Sequence, residues 1–274
     1  MLNDYVIAIV LGVVEGLTEY LPISSTGHLI LFGEALHFTG EKAKTFDVVI
    51  QLGAILSVLV LYRHRFVALF KGLRQGVCKP RTALNPGMAG LQGILKLALV
   101  SAPALSVGFI FRGQIKEHLF APFPVAIAFA VGALLILIVD RNGKVEGQIE
   151  IDQLTCRQSF LIGCVQCLAL WPGMSRSAST IIGGMLGGLS RAAAAEFSFL
   201  AAVPVLSAAA LYDLSKALLI FTTKDLELVA IGFVISFVTA LIAIKVFIRI
   251  VSRWSLRPFA YYRLLVAAIV LTLL

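Results

Sequence analysis

The segment Glu15-Gly-Leu-Thr-Glu19-Tyr-Leu-Pro22-Ile-Ser24-Ser25-Thr26-Gly27-His28 breaks an apolar stretch that runs from Tyr5 to Leu36. Proline, glycine and a run of hydroxyl residues end a helix rather than continue it. A second apolar stretch, Leu161–Leu189, is broken in the same way by Trp171-Pro172-Gly173-Met174-Ser175-Arg176-Ser177-Ala178-Ser179-Thr180. Each stretch reads as a short helix, an irregular tip and a second short helix. Irregular backbone is tolerated at membrane depth only where protein or water covers it. Both stretches are therefore expected to be re-entrant.

The rest of the chain demands a bilayer. Of 274 residues, 59% are hydrophobic and only 14% charged, with a mean hydropathy of +0.95. Soluble domains are about 45–50% apolar and about 25% charged. That excess cannot be hidden inside one globule, which excludes a soluble enzyme. The apolar runs are continuous rather than alternating, which argues against an outer-membrane barrel. Six spans are expected, at Phe46–Tyr62, Met88–Phe111, Leu119–Val139, Glu196–Tyr212, Leu226–Ile248 and Pro258–Leu274. Several sit near the lower limit of ~17 residues for crossing a bilayer. The expected fold class is an all-α polytopic membrane protein. It has six transmembrane helices plus two re-entrant helix–loop–helix segments, in one membrane domain over 1–274. The net charge of +8 then points to cytoplasmic loops and not to nucleic acid. Of Cys78, Cys156, Cys164 and Cys167, the last two form a C-x-x-C with no second Cys or His pair at zinc spacing. They read as small buried residues. The N-terminus has no basic region, so no cleavable signal peptide is expected.

Lysine and arginine set the orientation. Thirteen lie in three loops: Arg63, Arg65, Lys71, Arg74, Lys79 and Arg81; Arg141, Lys144 and Arg157; Lys245, Arg249, Arg253 and Arg257. The opposite side has six, Lys42, Lys44, Arg112, Lys116, Lys216 and Lys224. The positive-inside rule places the thirteen in the cytoplasm. The first re-entrant stretch then enters from outside and the second from the cytoplasm. A repeat agrees with this. At an offset of 150, Leu56-Ser57-x-x-x-Leu61-Tyr62 matches Leu206-Ser207-x-x-x-Leu211-Tyr212, Pro22 matches Pro172, Ser25 matches Ser175 and Gly33 matches Gly183. The halves, about 1–139 and 154–274 with a cytoplasmic linker 140–153, are expected to insert with opposite topology. Such repeats place a site near the midplane, where the broken helices meet.

Glu15 and Glu19 are four residues apart and share one helix face. Two carboxylates in lipid cost several kcal/mol. Either the helix lies wet at the interface, or the pair faces a polar cavity that holds a cation or a proton. In the second tip Arg176 is a fixed cation among hydroxyls, next to the start of a helix. Helix N-termini, hydroxyls and arginine together suit phosphate oxygens, although Ser-rich turns also serve as plain caps. The candidate phosphate ligands are Ser24, Thr26, Gly173, Ser175, Ser177 and Thr180. Glu15, Glu19 and a polyanion would repel one another at short range. A divalent cation, Mg²⁺ or Ca²⁺, on Glu15 and Glu19 resolves this. The candidate catalytic residues are Glu19, Ser25, His28 and Arg176. Ser25 is the attacking hydroxyl, activated by Glu19 or His28, or water attacks directly. His28 is a general acid, base or nucleophile. His37, His64 and His118 stand near span ends and read as surface groups.

These residues carry a resemblance. Glu15-x-x-x-Glu19 followed by Pro22-x-Ser24-Ser25-Thr26-Gly27-His28, with Pro172-Gly173-x-Ser175-Arg176-Ser177-x-x-Thr180 later, resembles the undecaprenyl-diphosphatase family, also called bacitracin resistance proteins. The similarity runs from about Ala8 to the C-terminus. It implies an integral pyrophosphatase of the bacterial inner membrane, multi-pass among membrane lipids. Its substrate is undecaprenyl diphosphate, from which it removes the terminal phosphate. That recycles the lipid carrier for peptidoglycan and other wall polymers, and overproduction confers bacitracin resistance. The resemblance also implies an inverted repeat with two re-entrant helix pairs and a pocket facing the periplasm. A homodimer is a further partner expectation. The rival reading is a transporter or flippase for a phosphorylated lipid, because inverted repeats and broken helices are also the hallmark of secondary transporters. Hydroxyls on both tips together with His28 favour phosphoryl chemistry.

Overall fold

The computed structural model describes residues 3–74, 87–140, 149–217 and 222–273. Cys78, Lys79, Arg81, Arg141, Lys144 and positions 142–148 of the expected linker lie outside the described residues. The elements in order are α1 (Asp4–Thr18), α2 (Ser25–Ala35), α3 (Glu41–Leu61), α4 (Arg63–Arg74), α5 (Gly90–Ile110), α6 (Arg112–Leu119), α7 (Pro122–Val139), α8 (Cys156–Gln166), α9 (Arg176–Leu186), α10 (Arg191–Ala217), α11 (Thr223–Val251) and α12 (Arg257–Leu273). A 3-10 turn, Cys167–Leu170, extends α8.

Both broken stretches form a short helix, a tip and a second short helix, α1–α2 and α8–α9. Among the described residues five helices, α3, α5, α7, α10 and α11, are long and apolar enough to cross a membrane. The sixth expected span is α12, with 17 residues. This is an all-α polytopic membrane protein. Local signals place several helix starts. Pro122 opens α7, where its missing N–H costs nothing. Thr155–Gln158 and Thr222–Asp225 form capping boxes at α8 and α11.

The core is built of small residues and aromatic rings. Ala193, Ala194, Ala195, Ala201 and Ala202 let α10 run through the middle of the bundle, because small side chains allow close helix approach. Phe199, on α10 itself, packs edge-on against Tyr20 and tilted against Phe247. The outer faces are apolar instead of charged. Leu134, Ile138, Val234, Ile242, Leu265 and Ile269 are all exposed. Patches of this kind fit contact with hydrocarbon. The C-x-x-C cysteines depart from expectation. Cys164 is exposed and Cys167 half-buried, because they lie on the outward side of α8 with Leu161 and Leu168. His37, His64 and His118 are exposed as expected.

Two groups of ion pairs tie separate segments together. Lys224 meets Asp4 and Lys42 meets Asp225. Arg65 meets both Asp152 and Glu196. The start of α1 thus belongs to one group, and the turn that leads into α8 to the other. Near the second group, Asp140 is buried at the end of α7. One carboxyl oxygen accepts from Arg191 Nη2 at 2.6 Å and Nε at 3.0 Å, and the other from the Leu256 amide at 2.6 Å. One carboxylate therefore joins the ends of α7, α10 and α12. Asp140→Ala leaves a mostly buried guanidinium without its partner. It is expected to cost ~3–5 kcal/mol, read as a large fall in Tm in detergent. An unchanged Tm would remove Asp140 from the account of how these helices are joined.

Candidate active site

The two tips share one backbone device. Ser24 precedes α2 with φ 71°, and Ser175 precedes α9 with φ 73°. Non-glycine residues rarely adopt this conformation. Each hydroxyl caps its helix, Ser24 Oγ accepting from the Gly27 amide and Ser175 Oγ from the Ala178 amide. The amides at the very start of each helix have no intrahelical acceptor. Ser24 and Ser175 are 151 positions apart. At the tips the structural counterpart of Ser175 is therefore Ser24, not Ser25 as the offset of 150 suggested. The site's Ser25 and Arg176 then occupy equivalent places, one residue into each second helix.

The tips meet through charge. Glu19, just past the end of α1, points one carboxyl oxygen at Arg176 Nη2 (3.1 Å) and accepts at the other from Ser25 Oγ (2.5 Å). Glu19 is buried, and the Arg176 side chain is 9% exposed. Arg176 Nη1 donates to the Ser198 carbonyl (2.8 Å) and hydroxyl (3.1 Å) on α10. Ser198 also shares a hydrogen bond with Thr180. Ser177 Oγ donates to the Tyr20 carbonyl (2.8 Å), a second tie between the tips. The Tyr20 ring lies 5.7 Å below the Arg176 guanidinium carbon. Arg176 Nε is buried and has no partner among the described residues.

A second arginine holds the tips from behind. Arg263, on α12, is fully buried. Its Nε donates to the Phe129 carbonyl (3.1 Å), Nη1 to Pro22 (3.1 Å) and Met174 (3.0 Å), and Nη2 to Ala128 (3.0 Å) and Gly173 (2.8 Å). All five guanidinium N–H groups are thereby used. Two glycines make this fit. A Cβ on Gly132 would collide with the Arg263 guanidinium, and Gly173, at φ +100°, lies where a Cβ would meet the Val125 carbonyl at 2.5 Å.

His28 is not brought into the cleft. Its Nδ1 lies 2.7 Å from the Ser24 carbonyl and its Nε2 2.7 Å from the Tyr262 hydroxyl. A carbonyl only accepts, so Nδ1 carries the proton, and in the neutral ring Nε2 accepts from Tyr262. Both nitrogens are occupied, and the ring supports the Ser24 backbone. The cleft itself, about 170 Å³, is lined by Glu19, Ser24, Ser25, Thr26, Gln51, Gln166, Gly173, Ser175 and Arg176 among others. It opens into an apolar groove of about 690 Å³ between α5 and α10, the two sharing Thr26, Ala104, Ala169, Leu170, Pro172 and Val205.

The family model for the bacitracin resistance protein BacA matches residues 8–269. The chain belongs to this family. It is 51% identical over 269 residues to the undecaprenyl-diphosphatase of Nitratidesulfovibrio vulgaris (strain DP4), with 98% of each chain covered. It is 50% identical to the undecaprenyl-diphosphatases of Solidesulfovibrio magneticus, with 98% of each chain covered, and Maridesulfovibrio salexigens, with 96% of each.

In this BacA-family chain, Glu19, Ser25 and Arg176 touch one another or a shared partner, and Ser24, Thr26, Gly173 and Ser175 line the same cleft. Ser177 and Thr180 lie behind it, tying the tips together and supporting Ser198. Glu15 is fully buried, and neither carboxyl oxygen has a partner among the described residues. Gln51, Gln166, Ser198, Tyr262 and Arg263 were not foreseen. Arg263 did carry a signal, a lone cation inside an apolar span. The others sit on helices whose facing is decided by packing.

Arg263→Lys tests the support behind the tips. Lysine keeps the charge but has three donors and no fork, so several carbonyls lose their partner at about 1–3 kcal/mol each. Tm should fall and turnover with it. Wild-type Tm together with wild-type turnover would show that the tips are held by other contacts.

Proposed function

We infer that this chain hydrolyses undecaprenyl diphosphate to undecaprenyl phosphate and inorganic phosphate. The reaction restores the lipid carrier used for wall-polymer synthesis and withdraws the diphosphate on which bacitracin acts. The observation that carries the reading is a hydroxyl paired to a carboxylate and an arginine, in a cleft that opens onto an apolar groove. Relatives half identical over nearly the whole chain bear the name undecaprenyl-diphosphatase. The cleft suits the diphosphate and the groove the prenyl chain. The two halves are proposed to insert with opposite topology in the inner membrane, with the cleft open to the periplasm. The separate entry points of α1 and α8 among the two ion-pair groups support this.

Ser25 attacks the terminal phosphorus. The new bond is Ser25 Oγ–P, and the bond that breaks joins phosphorus to the bridging oxygen, which leaves on the lipid phosphate. The proton of Ser25 passes to Glu19, the carboxylate it already hydrogen-bonds. Water then cleaves the seryl-phosphate and releases inorganic phosphate. Arg176 and the free amides at the starts of α2 and α9 bind phosphate oxygens and stabilise the charge that develops on them. Glu19's second oxygen is anchored by Arg176, so the base is aimed before substrate arrives. His28 positions Ser24 and, through it, Ser25. A transporter has no evident need for a serine hydrogen-bonded to a carboxylate.

The unpartnered oxygens of Glu15, one turn before Glu19, fit a hard divalent cation. Among the described residues no group of three His, Cys, Asp or Glu forms a cage. A hard cation there, Mg²⁺ or Ca²⁺, would take one or two carboxylates and fill its shell with water and phosphate oxygens. Glu15 would hold it, and it would neutralise the diphosphate, while Glu19, engaged by Ser25 and Arg176, is kept as the base.

Phosphate release by the purified protein in detergent is expected with Mg²⁺ or Ca²⁺ and not with chelator. Ser25→Ala should lose ~10³-fold or more in kcat, and Arg176→Lys ~10²-fold. No release from folded protein would overturn the reading. Rapid quench with substrate labelled at the terminal phosphate should place label on protein. Turnover with no label on the protein would replace Ser25 by water as the attacking group.

A further inference from the structure

Gln166 ends α8 and lines the cleft, yet only 1% of its surface is exposed. Its amide has one orientation. Nε2 donates to the Val100 carbonyl of α5 at 3.1 Å, and a carbonyl accepts only. Oε1 is turned away from that bond, buried, and without a partner among the described residues. Two residues that line the cleft thus each keep one buried polar atom without a partner among the described residues, Gln166 Oε1 as an acceptor and Arg176 Nε as a donor.

Gln166 also has a counterpart. The shift of 151 that relates Ser24 to Ser175 relates Glu15 to Gln166. Both residues are buried with unpartnered oxygens, one in front of each tip. In the first hairpin the oxygens belong to an acid, in the second to an amide. An amide keeps an acceptor at this place without adding a negative charge beside a polyanion. A fully ionised phosphate offers acceptors only. It would satisfy Arg176 Nε and turn oxygen lone pairs towards Gln166 Oε1. A phosphate that carries one proton satisfies both.

We propose that Gln166 Oε1 accepts a hydrogen bond from a P–OH group, so that the cleft selects a protonated phosphoryl group over a fully ionised tetrahedral anion. This rests on the phosphatase reading and adds the protonation state in which substrate binds. The terminal phosphate of the substrate loses its last proton near pH 6, about as phosphomonoesters do. Binding should therefore weaken above that pH.

Inorganic phosphate keeps a P–OH through neutral pH, whereas sulfate of the same shape has none. The test is inhibition of Mg²⁺-dependent turnover by phosphate and by sulfate, with wild type, Gln166→Met and Gln166→Glu. Wild type should prefer phosphate by about tenfold or more, the worth of one well-made hydrogen bond over a repulsive contact. Its kcat/KM should fall as pH rises from 6 to 8. Gln166→Met should bring the two inhibitors level and flatten the pH profile. Gln166→Glu, which keeps the shape, should raise KM at least tenfold. Equal inhibition of wild type by sulfate and phosphate overturns the proposal, whether or not the variants fold. So does an unchanged preference in Gln166→Met, since a purely structural role would lower activity without altering the ratio. Absent turnover in wild type would instead sink the phosphatase reading.

Discussion

The buried guanidinium of Arg263 pairs with no carboxylate among the described residues, and its five N–H groups end on five backbone carbonyls. A buried cation is costly unless every donor is met. Here the acceptors come from α7 and from both tips, so satisfying one side chain fixes three segments at once. The tips cannot separate without stripping that charge. Their irregular carbonyls, which no helix would satisfy, find donors in the same act. Glu19 and Arg176 can then face each other across the gap.

Electrostatics at the cleft follow from this frame. Glu19 has both oxygens engaged, by Ser25 and Arg176. Arg176 is held on its other side by Ser198, which leans on Thr180. Each group that would touch phosphate is thus oriented by a second one, and little reorganisation is left for the reaction itself. The strained serines at 24 and 175 start two helices at the same cleft, and their free amides add partial positive charge. The adjoining groove is apolar, so headgroup and hydrocarbon can be met by neighbouring surfaces of one molecule.

Much of this was legible in the sequence. Apolar runs gave the spans to within a few residues, because a span long enough for a bilayer leaves few alternatives, while the short charged helices α4 and α6 carried no such signal. Pro22 and Pro172 with their hydroxyl runs marked both breaks. Glu19, Ser25 and Arg176 stood out because charge and hydroxyls inside apolar sequence need a reason. The register of the repeat was off by one at the tips, since chance matches of Ser with Ser cannot tell position 24 from 25. His28 had the right chemistry for catalysis, but the fold spends both its nitrogens on Ser24 and Tyr262.

Composition and pattern by themselves determined that the chain is a helical membrane protein, that it is broken twice, and that the breaks carry acid, hydroxyl and arginine. These are local properties: each depends on a residue and its near neighbours in the chain. Only the tertiary structure decided that Glu19 and Arg176 pair over 157 positions, that α12 supplies the cation behind the tips, and that Gln166 lines the cleft with a buried, unpartnered oxygen. Those facts depend on which face each helix turns inward. That choice is made by packing against α7, α10 and α5, and not by any signal in the segments themselves.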